Sequence, residues 1–208
     1  MSFTDLTLGI PKEIMEHEYR VSAIPETVAK FIGQGARVLV ESRAGEAAHH
    51  YDDTYREAGA EIVPDSDGVF ERADVILKVK EPQFDVSRNR HETALMRRGQ
   101  ILVAFLHPAS PANHRMVRDL AERGVVSFTL DGVPRISHAQ AMDALTSMST
   151  VAGYKGVVMA ADRLGCLMPL TNTAVGMLPP AQVFVAGAGV AGLQALATAK
   201  RLGAVNFA

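Results

Sequence analysis
The sequence predicts an α/β fold with a mainly parallel sheet, and three observations carry that prediction. Short apolar runs alternate with amphipathic helical runs through the first two thirds of the chain. Those runs are apolar at nearly every position, as in strands covered on both faces. Beyond Arg135 the alternation stops, and a long proline-free stretch leads to an apolar strand, a glycine-rich turn and another helical run. The 208 residues fit one large domain or one and a half smaller ones, at about 150 residues per domain.

Taken in order, Thr7–Ile10 is a strand ended by Pro11. Glu26–Gly33 places Val28, Phe31 and Ile32 on one helical face, with Gly35 as a stop. Arg37–Glu41 is a buried strand, Asp52–Ala58 a short helix opening on two acids, and Ala60–Val63 a strand. Val69–Ala73 is helical and Val75–Val79 a strand; Arg88–Arg98 is expected to be a helix with a basic face that Glu92 interrupts. The strand Gln100–Leu106, the helix Asn113–Arg123 and the strand Val125–Leu130 follow. Alternation at this spacing calls for right-handed crossovers and a Rossmann- or flavodoxin-like sheet over residues 1–137. Residues 138–164 read as one inter-domain helix capped by Ser137, with Val151–Ala161 buried on most sides and Met142, Met148 and Met159 filling core. Residues 165–208 read as an incomplete second domain holding one buried strand, Gln182–Ala186, and one helix, Leu193–Leu202.

Composition excludes several classes. With 48% hydrophobic and 21% charged residues, the chain is not a disordered segment. A net charge of −2 and the lack of tryptophan speak against a nucleic-acid partner. The lone Cys166 excludes an internal disulfide and fits a reducing compartment. His49 and His50 have no partner at ligand spacing, so no metal site is expected. No secretory signal opens the chain. The uncharged stretch 166–199 is broken by Pro169, Pro179 and Pro180, which argues against a membrane span.

The chemistry-bearing motif is Gly187-Ala188-Gly189-Val190-Ala191-Gly192, set between the apolar Val183-Phe184-Val185 and a helical run. Its first glycine suits a tight turn, its second lets a diphosphate approach the backbone, and its third allows close helix–strand packing. The helix N-terminus offers unpaired N–H groups to phosphate. An acidic residue about 20 positions on would hold the ribose hydroxyls. The last acidic residue is Asp162, so NAD is not distinguished from NADP by the sequence alone.

Several segments resemble the alanine dehydrogenase and pyridine nucleotide transhydrogenase superfamily. They are Pro11-Lys12-Glu13 with Glu18-Tyr19-Arg20-Val21, Leu77-Lys78-Val79-Lys80-Glu81-Pro82, and Phe105-Leu106-His107-Pro108. The block from Pro134 to Leu145, Pro-Arg-Ile-Ser-His-Ala-Gln-Ala-Met-Asp-Ala-Leu, and the run to Ala152-Gly153-Tyr154 are similar to the NAD(H)-binding alpha subunit of the transhydrogenase branch. The resemblance covers nearly the whole chain, but only the N-terminal half of a family member.

It implies that Arg135, Gln140 and Asp143 form a loop over a nicotinamide, with Thr146 where the family often has Ser. It further implies NAD(H) on this chain, NADP(H) on a partner subunit, membrane partner subunits and a homodimer. The location implied is cytoplasmic, at the inner membrane through those partners. Arg20, Lys80 and His107 match instead the substrate site of alanine dehydrogenase. Arginine and lysine can hold a carboxylate there while histidine handles a proton. Three functions follow. The first is hydride transfer between NAD(H) and NADP(H) as part of a proton-translocating NAD(P) transhydrogenase, the isolated chain being inactive. The second is an alanine dehydrogenase-like oxidoreductase. The third is a non-catalytic binding or oligomerisation fragment.

Overall fold
The computed structural model describes residues 3–208 and divides into two compact units, Met1–Val133 and Pro134–Ala208. The first unit runs β1 (Thr7–Ile10), α1 (Pro25–Gly33), β2 (Arg37–Glu41), α2 (Asp52–Glu57), β3 (Glu61–Val63), α3 (Ser66–Arg72) and β4 (Val75–Lys80). A short hairpin follows, β5 (Phe84–Asp85) with β6 (Arg90–His91), then β7 (Ile101–Phe105), α4 (His114–Glu122) and β8 (Val126–Thr129). The sheet order is β3-β2-β1-β4-β7-β8 and every pairing in it is parallel. With the hairpin set aside, this is the doubly wound order that reverses between β1 and β4, where such sheets bind ligands beyond the strand carboxyl ends.

Successive strand residues point to opposite faces, which builds two cores. Leu39, Ile76, Leu102 and Ala104 meet Val69 and Phe70 of α3 and Met116 and Leu120 of α4 on one face. Val38, Val40, Leu8 and Ile10 meet Val28 of α1 and Tyr55 of α2 on the other. Leu77 pairs with Val103 while Lys80 pairs with Phe105, so β4 carries one extra residue there. A bulge of this kind re-aims side chains at a sheet rim. Here Lys78 is buried and Lys80 reaches the strand end.

The second unit contains α5 (Ala144–Arg163), the hairpin β9 (Thr171–Thr173) with β10 (Gly176–Leu178), β11 (Gln182–Phe184), α6 (Val190–Arg201) and β12 (Val205–Phe207). Its core gathers Val157, Met168, Ala181 and Ala199. Strand β12 lies parallel to β11, Phe207 beside Phe184, so this unit holds a complete β–α–β step and not the single strand and helix expected.

The structure corrects other expectations. Residues 88–98 form no α-helix, only the strand β6 and a single 3-10 turn at Glu92–Leu95. Asp85 accepts the Ser87 and Arg88 amides at 2.9 and 3.2 Å, Asn89 turns at φ 48, and the chain returns as β6. Arg88, Arg90 and Arg97 pair rather than form a basic face: Arg88 lies 3.1 Å from Asp67, Arg90 also meets Asp67, and Arg97 donates to the Ala73 carbonyl at 2.7 Å. The long helix starts at Ala144, not His138, after a short 3-10 stretch at Ser137–Met142. Asp143, not Ser137, is the cap, because its carboxylate accepts the Thr146 amide at 3.0 Å. Only Gly153 and Val157 of α5 are buried, since α6 covers one face alone. Met142 and Met159 are exposed rather than core-filling, and Phe184 is 72% exposed on a strand expected to be buried. Among the described residues no helix is long and apolar enough to cross a membrane.

Candidate functional site
In the second unit a cleft of about 320 Å³ is lined by Arg135, Thr146, Ser149, Ala186, Gly187, Gly189, Val190, Ala191 and Gly192. The strand β11 delivers the chain to Gly187, whose φ of +103 turns it into α6. Gly189 has open space where a Cβ would stand, and no side chain caps the helix it precedes. The first N–H groups of α6 are therefore open to a ligand. A Cβ on Gly192 would strike the Gly187 carbonyl, so the third glycine closes the turn on itself. These features fit a diphosphate against the backbone.

Of Arg135, Gln140, Asp143 and Thr146, the first and the last reach this cleft. Asp143 acts at the helix start: it accepts the Thr146 hydroxyl at 2.6 Å as well as its amide. Those two bonds, with Arg135 nearby, hold its carboxyl below the usual range. Gln140 is exposed and does not line the cleft, and neither does Ala188. Sequence reading missed two contributors. Ser149 lines the cleft one helical turn beyond Thr146. Gly153 lets α5 lie against α6, because a Cβ there would strike the Ala191 carbonyl.

In the first unit Lys80 and His107 do come together, Nζ to Nε2 at 3.4 Å, at the carboxyl ends of β4 and β7. Arg20 is engaged by Glu18, Nη2 to Oε2 at 2.6 Å and Nε to Oε1 at 2.8 Å. Those bonds hold the Glu18 carboxyl below its ordinary range, with Lys80 adding a smaller pull. Sequence reading also missed Asp131, whose Oδ1 lies 2.7 Å from His107 Nδ1. His107, Thr129, Asp131 and the 108–110 turn line a cleft of about 310 Å³. Among the described residues, no group of three His, Cys, Asp or Glu could hold a metal ion.

A doubly wound parallel sheet and a strand–glycine turn–helix cleft define an α/β protein of the Rossmann-like class. The chain belongs to the alanine dehydrogenase/PNT family. Residues 9–152 match the description "Alanine dehydrogenase/PNT, N-terminal domain" and residues 156–208 match "Alanine dehydrogenase/PNT, C-terminal domain". It is 40% identical over 203 residues to the NAD(P) transhydrogenase subunit alpha of Cereibacter sphaeroides, covering 98% of this chain and 37% of that one. It is 34% identical over 206 residues to the alanine dehydrogenase of Halomonas elongata, covering 96% of this chain and 52% of the relative. The solved transhydrogenase from Sinorhizobium meliloti superposes with a TM-score of 0.88 at 38% identity, over 96% of this chain and 57% of that one. The chain thus spans between 37% and 57% of the length of these three proteins.

Proposed function
We propose that the chain is part of the NAD(H)-binding alpha subunit of a proton-translocating NAD(P) transhydrogenase. In this role it exchanges hydride with NADP(H) held by a partner subunit. The observation that carries this is the cleft in which Arg135 and Thr146 face the glycine turn of the same unit. NAD(H) supplies the hydride; the chain's own residues hold and orient. The open backbone at Gly189 and the first amides of α6 take the diphosphate. The exposed Gln140 amide can donate to a carboxamide oxygen or accept from its nitrogen. Asp143 pins the helix start just after that residue. Transfer between two nicotinamides asks for positioning and no nucleophile. A second copy, an NADP-binding subunit and membrane subunits complete the assembly, which sits at the cytoplasmic side of the inner membrane.

The test uses the full-length protein with its partner subunits. Arg135→Ala and Gln140→Ala are each expected to lower NADH-driven reduction of an NADP⁺ analogue by on the order of 10- to 100-fold, with the fold unchanged by circular dichroism. Wild-type turnover in both variants overturns the proposal, and so does robust alanine-dependent NADH formation by the unmodified protein.

The contact between Lys80 and His107 favours a second reading, an alanine dehydrogenase-like oxidoreductase. Both stand where doubly wound sheets place ligands. Arg20 would have to leave Glu18 to grip a substrate carboxylate.

A further inference from the structure
We propose that Asp131 is a positioning residue that locks the His107 ring with its proton on Nδ1, leaving Nε2 as the acceptor that faces Lys80. This inference rests on the second reading for its consequence, but its geometry stands by itself.

One carboxylate holds His107 at two points. Asp131 Oδ1 lies 2.7 Å from ring Nδ1, and Asp131 Oδ2 accepts the His107 backbone amide at 2.8 Å. The Thr129 hydroxyl donates to the same Oδ2 at 2.6 Å, and its oxygen accepts the Leu106 amide at 3.2 Å. Asn113 donates to the Leu106 carbonyl at 3.0 Å from the other side. This grip keeps His107 at φ +44, a left-handed conformation that a non-glycine residue adopts only when its surroundings hold it. Phe105 stacks alongside the ring at 6.1 Å between centroids and 15° between planes. Neither the backbone nor the ring is then free to turn.

The tautomer follows from the partners. Burial pushes the Asp131 carboxyl up, but the Thr129 hydroxyl and the His107 amide outweigh it and hold the group below the usual range. An ionised carboxylate only accepts, so Nδ1 must be the donor. A lysine ammonium only donates, so the Lys80 side of the ring must be the acceptor. Both neighbours therefore select the same form. A side chain acting as proton acceptor toward a bound amino or hydroxy acid needs its lone pair fixed toward the ligand, and a carboxylate behind the ring is a physical means to that end.

Asp131→Asn breaks this logic with almost no change in shape. One side-chain oxygen cannot serve both the backbone amide with Thr129 and the ring N–H. The oxygen stays with the amide and hydroxyl, and the NH₂ group turns to Nδ1, which must then accept. The experiment is a long-range proton–nitrogen correlation spectrum of the ¹⁵N-histidine-labelled full-length protein, at alkaline pH where imidazole is neutral. The wild type is expected to show a pyrrole-like Nδ1 and a pyridine-like Nε2 for His107, assigned through His107→Gln. Asp131→Asn is expected to exchange the two signals. A pyridine-like Nδ1 in the wild type overturns the proposal, and that spectrum decides even if the variant does not fold. An unchanged pattern in a folded Asp131→Asn overturns it as well. An exchanged pattern, together with no alanine-dependent turnover by the wild type, upholds the tautomer lock and overturns only the second reading.

Discussion

Lys78→Met is expected to destabilise the first unit by about 3–5 kcal/mol, read as a lower guanidinium midpoint. The Lys78 side chain is fully buried, with Nζ 2.9 Å from Glu92 Oε1 and 3.2 Å from Glu13 Oε2; those carboxylates are nearly as deeply buried. Each carboxylate also ties down a loop: Glu13 accepts the Val79 amide at 2.6 Å, and Glu92 accepts the Gln83 amide at 2.7 Å. One ammonium thus faces two carboxylates, and removing it leaves both charges in the interior without a counterion. Burial, only partly offset by Lys78, pushes the Glu13 carboxyl up. Burial lowers the affinity of Lys78 for its proton, but Glu92 and Glu13 outweigh it and the group is raised. The sign of the pH effect follows. A raised group stabilises fully below its ordinary value and loses that contribution as pH climbs through the folded value. The Lys78 contribution therefore persists at neutral pH and fades only in alkali. A Lys78→Met, Glu92→Leu double variant is expected to recover part of the loss, because it removes a stranded charge along with the ammonium. Equal midpoints for wild type and Lys78→Met would rule out this account of the triad.

The same triad shows where sequence reading reached its limit. The runs Val38-Leu39-Val40 and Ile101–Leu106 are apolar enough to announce covered strands, and the structure pairs them in one parallel sheet. The glycine turn was legible because its geometry is local: strand, turn and helix lie within a few residues. Residues 88–98 failed because what holds them is remote. Lys78 reaches Glu92, and Arg90 reaches Asp67, so tertiary partners override a helical pattern. The start of α5 failed for a different reason. Ser137 and Asp143 are both able caps, and only the bonds from Thr146 to Asp143 decide between them. Asp131 was invisible because nothing in its own neighbourhood points to His107, which β7 and the following turn bring to it. Lys80 and His107, by contrast, could be placed at strand ends from the apolar runs before them, and they do meet.

Gly153→Ala is expected to lower the affinity of the full-length protein for NADH by at least about 10-fold, the effect of a misplaced binding backbone. Gly153 is buried on α5, and a Cβ there would strike the Ala191 carbonyl, with the Ala191 Cα and carbonyl carbon also about 3 Å away. All three atoms are backbone, so no side chain can swing aside and the helices must part. Ala191 belongs to the first turn of α6 and lines the cleft beside Gly189 and Val190. Movement there shifts the amides that would meet a diphosphate. Overpacking of this kind also costs about 1–3 kcal/mol of stability. Gly156→Ala supplies the control: it lies on the same helix, exposed, with nothing near its added Cβ. That substitution is expected to leave NADH affinity unchanged and to gain up to about 1 kcal/mol from helix propensity. Calorimetric titration of NADH into the two variants separates the causes. A fall confined to Gly153→Ala assigns the loss to helix contact at the glycine turn. Equal affinity in both would mean that α5 does not set the position of that turn.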